Sequence, residues 1–195
     1  MTISNDLVKH LRQLTGSPIG TCKKVLEEAG GDMDRAFALL KKSSEALADK
    51  KALRTTGAGI VETYIHGNKK VGVLVEIRCE TDFVARNVEF QAFAHDIALH
   101  IAGAKPLYVR SDAISEEAAL EAKRLFTDEA VQLGKTPEMT AKIVEGKLQA
   151  HFRDVSLMSQ PFVKDSAMTI EEFVKQAIGR FGEKIEVVRF ARYEV

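Results

Sequence analysis

Side chains that could carry acid–base, metal or nucleophilic chemistry are few and scattered along this chain. They are His10, His66, His95, His100, His151, Cys22 and Cys79. His95 and His100 lie five residues apart on one predicted helix, so they do not share a face as zinc ligands four residues apart would. Each cysteine falls within an apolar pattern, Cys22 on a helix face and Cys79 on a strand, which is typical of small buried residues. The spacing therefore predicts neither a metal site nor a reactive thiol.

Sequence motifs for nucleotide binding and covalent catalysis are also missing. The sequence contains no GxxxxGK[ST], no GxGxxG and no GxSxG. The acid pairs Glu116-Glu117 and Glu171-Glu172 fall in the first turns of predicted helices, where the helix dipole favours negative charge. We therefore predict that the protein is not an enzyme, needs no cofactor and acts by binding.

Charge and hydropathy narrow the class of partner. Lys and Arg total 28, and Asp and Glu total 28, so the formal net charge is zero. A main partner of bare nucleic acid would require a basic excess. The chain has no apolar run near the roughly 20 residues of a membrane span, and its N-terminus lacks a signal-peptide pattern. These features predict a cytoplasmic protein, or a processed organellar one, that binds neither nucleic acid nor membrane.

One segment, CETDFVARN over residues 79–87, places a large aromatic at a predicted strand-to-helix corner. Phe83 stands beside Asp82, where small turn-forming residues are usual. A phenylalanine next to a strand end is by itself typical of a core residue, and Asp82 is typical of a helix N-cap. Because no catalytic constellation occurs elsewhere, this corner is the strongest candidate for a binding site.

The elements before the corner begin with a small helical segment. Three amphipathic helices are predicted, with caps at Ser4 to Asp6 and at Asp32, and with Gly30-Gly31 ending the second helix. The polar stretch 41–56 reads as a continuing helix or as a helical linker. We predict a first domain over residues 1–54, consisting of a three-helix module plus this linker.

The second predicted domain, residues 55–195, changes from helical to strand periodicity. Strands near 59–66 and 70–79 flank a Gly67-Asn68 turn, and an apolar helical stripe follows over 88–102. Residues 115–155 indicate a protruding helical hairpin with caps at Ser115 and Thr136. An irregular stretch, a helix over 169–182 and a final strand complete the chain. The fold class is α+β, a small antiparallel sheet packed with helices whose edges are open to a partner strand.

Four blocks give the chain a family resemblance. They are LRQLTGSPIGTCKKVLEEAGGD, VEIRCETDFVARNVEFQAFAHDIALHIA, GKTPEMTAKIVEGKL and QPFVKD. Together they resemble translation elongation factor Ts, in the same order, over about residues 4 to 193. The resemblance implies an N-terminal three-helix module of the ubiquitin-associated type followed by an α+β core. It also implies a short form with a single core subdomain, for which homodimerisation is a hypothesis.

The resemblance further implies a function and a site. Members of this family are guanine-nucleotide exchange factors for elongation factor Tu. On that resemblance Phe83 is an aromatic wedge beside the nucleotide site of the GTPase, and Asp82 is its polar neighbour. Thr81 and Val84 complete the same partner-binding TDFV block.

Four further residues match contacting positions of the family, and each has a plainer alternative. Lys23 matches a contact with the GTPase domain, or is a solvated lysine. His100 matches a histidine of the contacting region, or pairs with Asp96 on its own helix. Phe181 and Gly182 match a loop near the wedge, or form a helix C-cap with its buried aromatic.

A different class of function is a non-catalytic scaffold that binds ligands through the three-helix module. It would require an exposed Met-Gly-Phe-type loop, which TGSPIG does not supply. RNA binding is weaker, because the basic residues are interspersed with acids and form no stripe with aromatics.

Overall fold

The structure is a computed structural model that describes residues 3–134 and 136–195. Within these residues the elements run in the order α1 (Asn5–Thr15), α2 (Ile19–Glu28), α3 (Met33–Lys51), β1 (Ala58–Ile65), β2 (Val71–Cys79), α4 (Asp82–Ala85), α5 (Val88–Ala104), α6 (Glu116–Gln132), α7 (Pro137–Val155), β3 (Pro161–Phe162), β4 (Asp165–Thr169), α8 (Ile170–Phe181) and β5 (Ile185–Glu194). The predicted α+β class with a small antiparallel sheet is confirmed. None of the helices in this described part is long and apolar enough to cross a membrane.

The chain divides into two compact units. One consists of Met1–Glu62, Val75–Asp96 and Glu172–Val188, and the other of Thr63–Leu74, Ile97–Glu171 and Arg189–Val195. Helices α5 and α8 and the strands β1, β2 and β5 contribute residues to both units. The predicted domain boundary near residue 54 stays a prediction.

The first three helices of the first unit form as their caps predict. The Ser4 hydroxyl accepts hydrogen bonds from the backbone N–H groups of Asp6 and Leu7, and the Asp32 carboxylate accepts one from Arg35. The helices share a buried apolar cluster made of Val8, Leu11, Cys22, Val25, Leu26, Ala29, Ala36 and Leu40. Helix α3 continues to Lys51, so residues 41–51 extend the helix. The similarity of this module to ubiquitin-associated domains stays a prediction.

The main sheet has three strands in the order β1-β2-β5, so β1 and β5 are its edge strands. The hairpin between β1 and β2 is closed by the His66 N–H, which donates to the carbonyl of Val71 at 2.9 Å. Its turn includes Lys69 in the left-handed region, with φ 59°. Both strands lie within one residue of their predicted bounds. The alternating pattern predicts that one face of β2 consists of Val71, Val73, Val75, Ile77 and Cys79. The last four of these are buried, and Val71, at the start of the strand, is half-buried.

In the second unit, helices α6 and α7 pack against each other as a helical hairpin. Ser115 and Thr136 act as the predicted N-caps, accepting from the N–H groups of Ala118 and Met139. The ring of Phe126 contacts His151 edge-to-face, with centroids 5.8 Å apart. Lys135, in the predicted turn, lies outside the described residues, and the protrusion of the hairpin stays a prediction.

The prediction of an irregular stretch after α7 is wrong. Strands β3 and β4 pair there as a two-stranded antiparallel sheet. Strands of two and five residues are too short to show the alternation by which a strand is predicted. The carbonyl of Gln160 then accepts from the N–H of Ile170, where helix α8 begins.

Candidate functional site

The TDFV corner, residues 81–84, joins the end of β2 to the short helix α4. Thr81 has extended backbone angles (φ −132°, ψ 154°), and its Oγ1 accepts a hydrogen bond from the N–H of Val84 at 3.4 Å. Thr81 is therefore the N-cap, and the interpretation of Asp82 as the N-cap is wrong. Asp82 is the first helical residue, where its charge is favourable for the helix dipole. Asn87 follows α4, and its Oδ1 accepts from the N–H of Glu89 at 2.8 Å in the first turn of α5.

Phe83 stands on the surface of this corner. It is 83% exposed, whereas Val84 and Ala85 are buried, at 4% and 3%. The interpretation of Phe83 as a core residue is therefore wrong, because the two residues that follow it anchor the turn instead. Val84, predicted as a partner contact, lies within the fold of the described chain.

A cluster of phenylalanines packs α5 against α8 within the first unit. Phe90 and Phe181 meet edge-to-face, with ring centroids 5.7 Å apart and an interplanar angle of 80°. Phe93 and Phe173 lie 5.0 Å apart. Aromatic pairs of this kind contribute about 0.5–1.5 kcal/mol beyond their buried area. Phe181 thus packs α8 against α5. Gly182 ends α8 in the left-handed conformation (φ 69°), and its N–H donates to the carbonyl of Ile178.

Two carboxylates hold the corner against the segment after α8. Glu183 Oε2 accepts from the N–H groups of Glu80 and Thr81, both at 3.0 Å, and its Oε1 accepts from the Thr81 hydroxyl at 2.6 Å. In return, Glu80 Oε1 accepts from the N–H of Lys184 at 2.6 Å. We call this reciprocal arrangement of Glu80 and Glu183 the carboxylate clasp. It fixes residues 80–81 to residues 183–184 from both sides.

Glu80 also forms ion pairs with two basic side chains, one at the end of α3 and one just after it. Lys51 Nζ lies 3.2 Å from Oε1 and Arg54 Nη1 lies 3.1 Å from Oε2, and the Glu80 side chain is only 18% exposed. The Lys184 backbone N–H, assisted by Arg54 and Lys51, lowers the pKa of Glu80 from its ordinary 4.5 to about 2. The carboxylate is therefore ionised at neutral pH, and it gives the nearly buried Lys51 ammonium its counter-charge.

Lys23 is a surface residue of α2. Its side chain is well exposed, and Nζ lies 3.9 Å from Glu27 Oε1 one helical turn later. Surface pairs at this spacing contribute little to stability. The position is open to a partner, and contact with one stays a prediction.

His100 is fully buried in the second unit. Its Nε2 lies 3.0 Å from Gln160 Oε1, and its Nδ1 accepts from the N–H of Val163 at 3.3 Å. This network assigns the ring proton to Nε2. Burial lowers the pKa of His100, so the ring is held neutral. A direct contact with a partner would require Gln160 and the residues beside it to move away.

The structure thus brings Thr81 to Val84 together with the segment after Phe181 and Gly182, through Glu183. The sequence does not predict the contact between Glu80 and Glu183, because the two residues lie 103 positions apart and no local pattern connects them. The sequence signal that could have found them is position, since Glu80 directly precedes the TDFV corner and Glu183 directly follows Gly182. Among the described residues, no group of three or more His, Cys, Asp or Glu is arranged to hold a metal ion.

Comparison with known proteins gives matches over almost the entire chain. The family model described as Elongation factor TS matches residues 23–195. Elongation factor Ts of Desulforamulus reducens is 45% identical over 193 residues, covering 99% of this chain and 89% of the relative. Elongation factor Ts of Thermotoga petrophila is 45% identical over 196 residues, covering 100% and 97%. The protein of that name from Rubrobacter xylanophilus is 43% identical over 195 residues and covers both chains completely.

Proposed function

The chain belongs to the elongation factor Ts family, and on that basis we propose that it is the guanine-nucleotide exchange factor of elongation factor Tu in translation elongation. It binds elongation factor Tu with GDP bound, promotes the release of GDP and is displaced by GTP. It makes and breaks no covalent bond, so it acts without a cofactor.

The physical basis of such exchange is a difference in binding free energy. An exchange factor must bind the nucleotide-free GTPase more tightly than the GDP form. Because this coupling is reciprocal, bound nucleotide lowers the affinity of the GTPase for the exchange factor to the same extent. A thousandfold reduction in GDP affinity corresponds to a coupling of about 4 kcal/mol. Contacts that disturb the magnesium and phosphate site of the GTPase provide this difference.

Phe83 carries the proposed wedge contact. Its 83% exposure is the observation that supports this role, because the ring is accessible to a partner while the buried Val84 and Ala85 anchor the turn behind it in sequence. Asp82 is the polar neighbour of the wedge. Thr81 and Val84 hold the turn that presents it.

The remaining predicted residues have secondary roles in the proposal. Lys23 makes a peripheral contact from the exposed face of α2. Phe181 and Gly182 support the corner from the end of α8. His100, because it is buried, contributes by shaping the surface above it.

The test is release of a fluorescent GDP from elongation factor Tu after adding this protein in catalytic amount. We expect accelerated release, and we expect Phe83→Ala to lose most of the acceleration. Val61→Ala is the matched control, because Val61 is also an exposed apolar residue, at 64%, but lies on β1 outside the corner.

Circular dichroism of each variant establishes that the fold is retained. A scaffold without exchange activity would leave GDP release at its spontaneous rate with the wild-type chain, which would refute the proposal. If Val61→Ala lost as much activity as Phe83→Ala, the wedge assignment would be wrong while the exchange function stood.

Pairing of two copies through the sheet is part of the same proposal. β5 is an edge strand, and an edge strand offers unpaired backbone groups to a partner strand. Sedimentation equilibrium at micromolar concentration is expected to give the mass of two chains. A mass of one chain would eliminate the homodimer.

A further inference from the structure

We propose that Glu183 is a positioning residue that sets the direction in which Phe83 projects, an inference that rests on the proposed exchange function. Glu183 contacts the corner through three hydrogen bonds from Glu80 and Thr81. It has no need to touch the partner, because it acts through the TDFV corner.

The path from Glu183 to Phe83 runs through one hydroxyl. The Thr81 O–H donates to Glu183 Oε1 at 2.6 Å, and the Thr81 Oγ1 atom also accepts from the N–H of Val84 at 3.4 Å. The donation fixes the rotation of the hydroxyl, so its lone pair faces the first turn of α4. Phe83 is the second residue of that turn. Orienting the cap therefore orients the aromatic side chain.

Glu183 also satisfies two backbone donors at the point where β2 ends. The N–H groups of Glu80 and Thr81 converge on a single oxygen, Glu183 Oε2. Charge-assisted hydrogen bonds of this kind are about twice as strong as neutral ones. Without this carboxylate the two donors turn to water, and the strand end is free to adopt other directions.

The position of Glu183 is itself determined by the end of α8. Gly182 reverses the chain with φ 69°, and Lys184 donates its N–H to Glu80 in the other half of the clasp. The acid is thus held in place before any partner binds. The arrangement is a preformed mount, as an aromatic wedge requires.

Hydrogen exchange of the free protein tests the inference without elongation factor Tu. The reporters are the N–H groups of Ala85, Arg86 and Asn87, which bond within α4 and do not touch Glu183. We expect Glu183→Ala to accelerate their exchange about tenfold relative to the other helices, and Glu183→Gln to restore part of the protection. Glu186→Ala is the matched control, since the Glu186 carboxylate contacts the side chains of Thr56 and Lys184 in the described part of the chain, and we expect it to leave α4 exchange unchanged.

A double-mutant cycle in the GDP-release assay then tests whether Glu183 acts through Phe83. We expect Glu183→Ala to lower the maximal stimulated rate about tenfold in the wild-type background and to have no further effect in the Phe83→Ala background. An additive loss, or unchanged α4 exchange in Glu183→Ala, would overturn the inference. If the wild-type chain stimulates no release, the proposed function fails, and the exchange data alone still decide whether Glu183 orders the corner. Should Glu183→Ala unfold, Glu183→Gln provides the same readouts.

Discussion

Two phenylalanines seven positions apart have opposite environments in this chain. Phe83 is exposed at the corner, and Phe90 on α5 is fully buried. Hydrophobic burial therefore accounts for Phe90 and does not account for Phe83. At the residue scale, this contrast separates what the chain needs in order to fold from what it presents to a partner.

Alanine substitutions should measure this contrast directly. We expect Phe83→Ala to change the free energy of unfolding by no more than about 0.5 kcal/mol, as is usual for surface substitutions. Phe90→Ala should lower it by about 3–5 kcal/mol, because it leaves a cavity among packed rings. Urea denaturation measures both values. A loss above about 2 kcal/mol for Phe83→Ala would mean that its side chain is part of the core after all.

Glu80 provides a pH-dependent prediction at the same scale. Its pKa is about 2 in the folded chain against an ordinary 4.5, so the stabilisation is complete above about pH 4.5 and is lost as the pH falls toward 2. The shift corresponds to about 3 kcal/mol at most. We expect Glu80→Gln to lower the free energy of unfolding by about 2–3 kcal/mol at pH 7 and by much less near pH 2. Urea titrations across this range measure the difference.

Glu27→Gln is the matched control for Glu80. Glu27 pairs with the exposed Lys23 at 3.9 Å, so its replacement should change the free energy of unfolding at pH 7 by less than about 0.5 kcal/mol. An equal pH dependence in the two variants would contradict the special environment of Glu80.

At the element scale, the accuracy of sequence prediction followed element length. Helices α1, α3, α6 and α7 begin at their predicted caps, and strand β2 buries its predicted face, because caps and periodicity are local signals. Strands β3 and β4 were missed because neither is long enough to reveal a period. The exposed Phe83 was predicted by resemblance alone. The carboxylate clasp was missed because tertiary folding, with no local signal, brings its two acids together.

The crossing of α3 and α8 gives a prediction about packing. A Cβ atom at Gly179 would lie 2.9 Å from the Cβ of Ser44, closer than side-chain carbons approach. We expect Gly179→Ala to destabilise the fold by about 1–3 kcal/mol through this overpacking. In a Ser44→Gly background the same change should be neutral or stabilising by up to about 1 kcal/mol, because alanine favours a helix over glycine. Thermal unfolding of the four proteins measures this cycle, and an equal loss in both backgrounds would exclude the close approach as the cause.

At the scale of the whole molecule, each compact unit contains a largely buried acid–base group whose pKa is lowered by the fold. In the first unit it is Glu80, and in the second it is the neutral, buried His100. Burial lowers the pKa of His100 below its ordinary 6.5, so the unfolded chain binds this proton more readily. The stabilisation from a neutral His100 is present above about pH 6.5 and is lost as the pH falls through the folded pKa. Acid should therefore weaken the fold in two successive ranges.

The His100→Gln variant should lack the loss of stability that protonation of His100 causes in the upper of these two pH ranges. We expect the slope of unfolding free energy against pH, just below the ordinary His pKa of 6.5, to be shallower than in the wild-type chain, whatever the variant loses in overall stability. His10→Gln, which replaces an exposed histidine on α1, is the control for the chemical substitution itself. Guanidinium titrations at several pH values provide both slopes, and parallel wild-type and His100→Gln lines would contradict the burial argument.

The carboxylate clasp also determines how this corner could be copied. A synthetic peptide with the sequence CETDFVARN contains Phe83 but lacks Glu183 and the remainder of the folded chain, so in water it samples many conformations. A miniature inhibitor, or a graft onto a foreign scaffold, must therefore include two chain segments, residues 79–87 and 182–184, held at the separation that the clasp imposes. The transferable unit is discontinuous in sequence, and a graft of the TDFV segment alone would keep its side chains without their conformation.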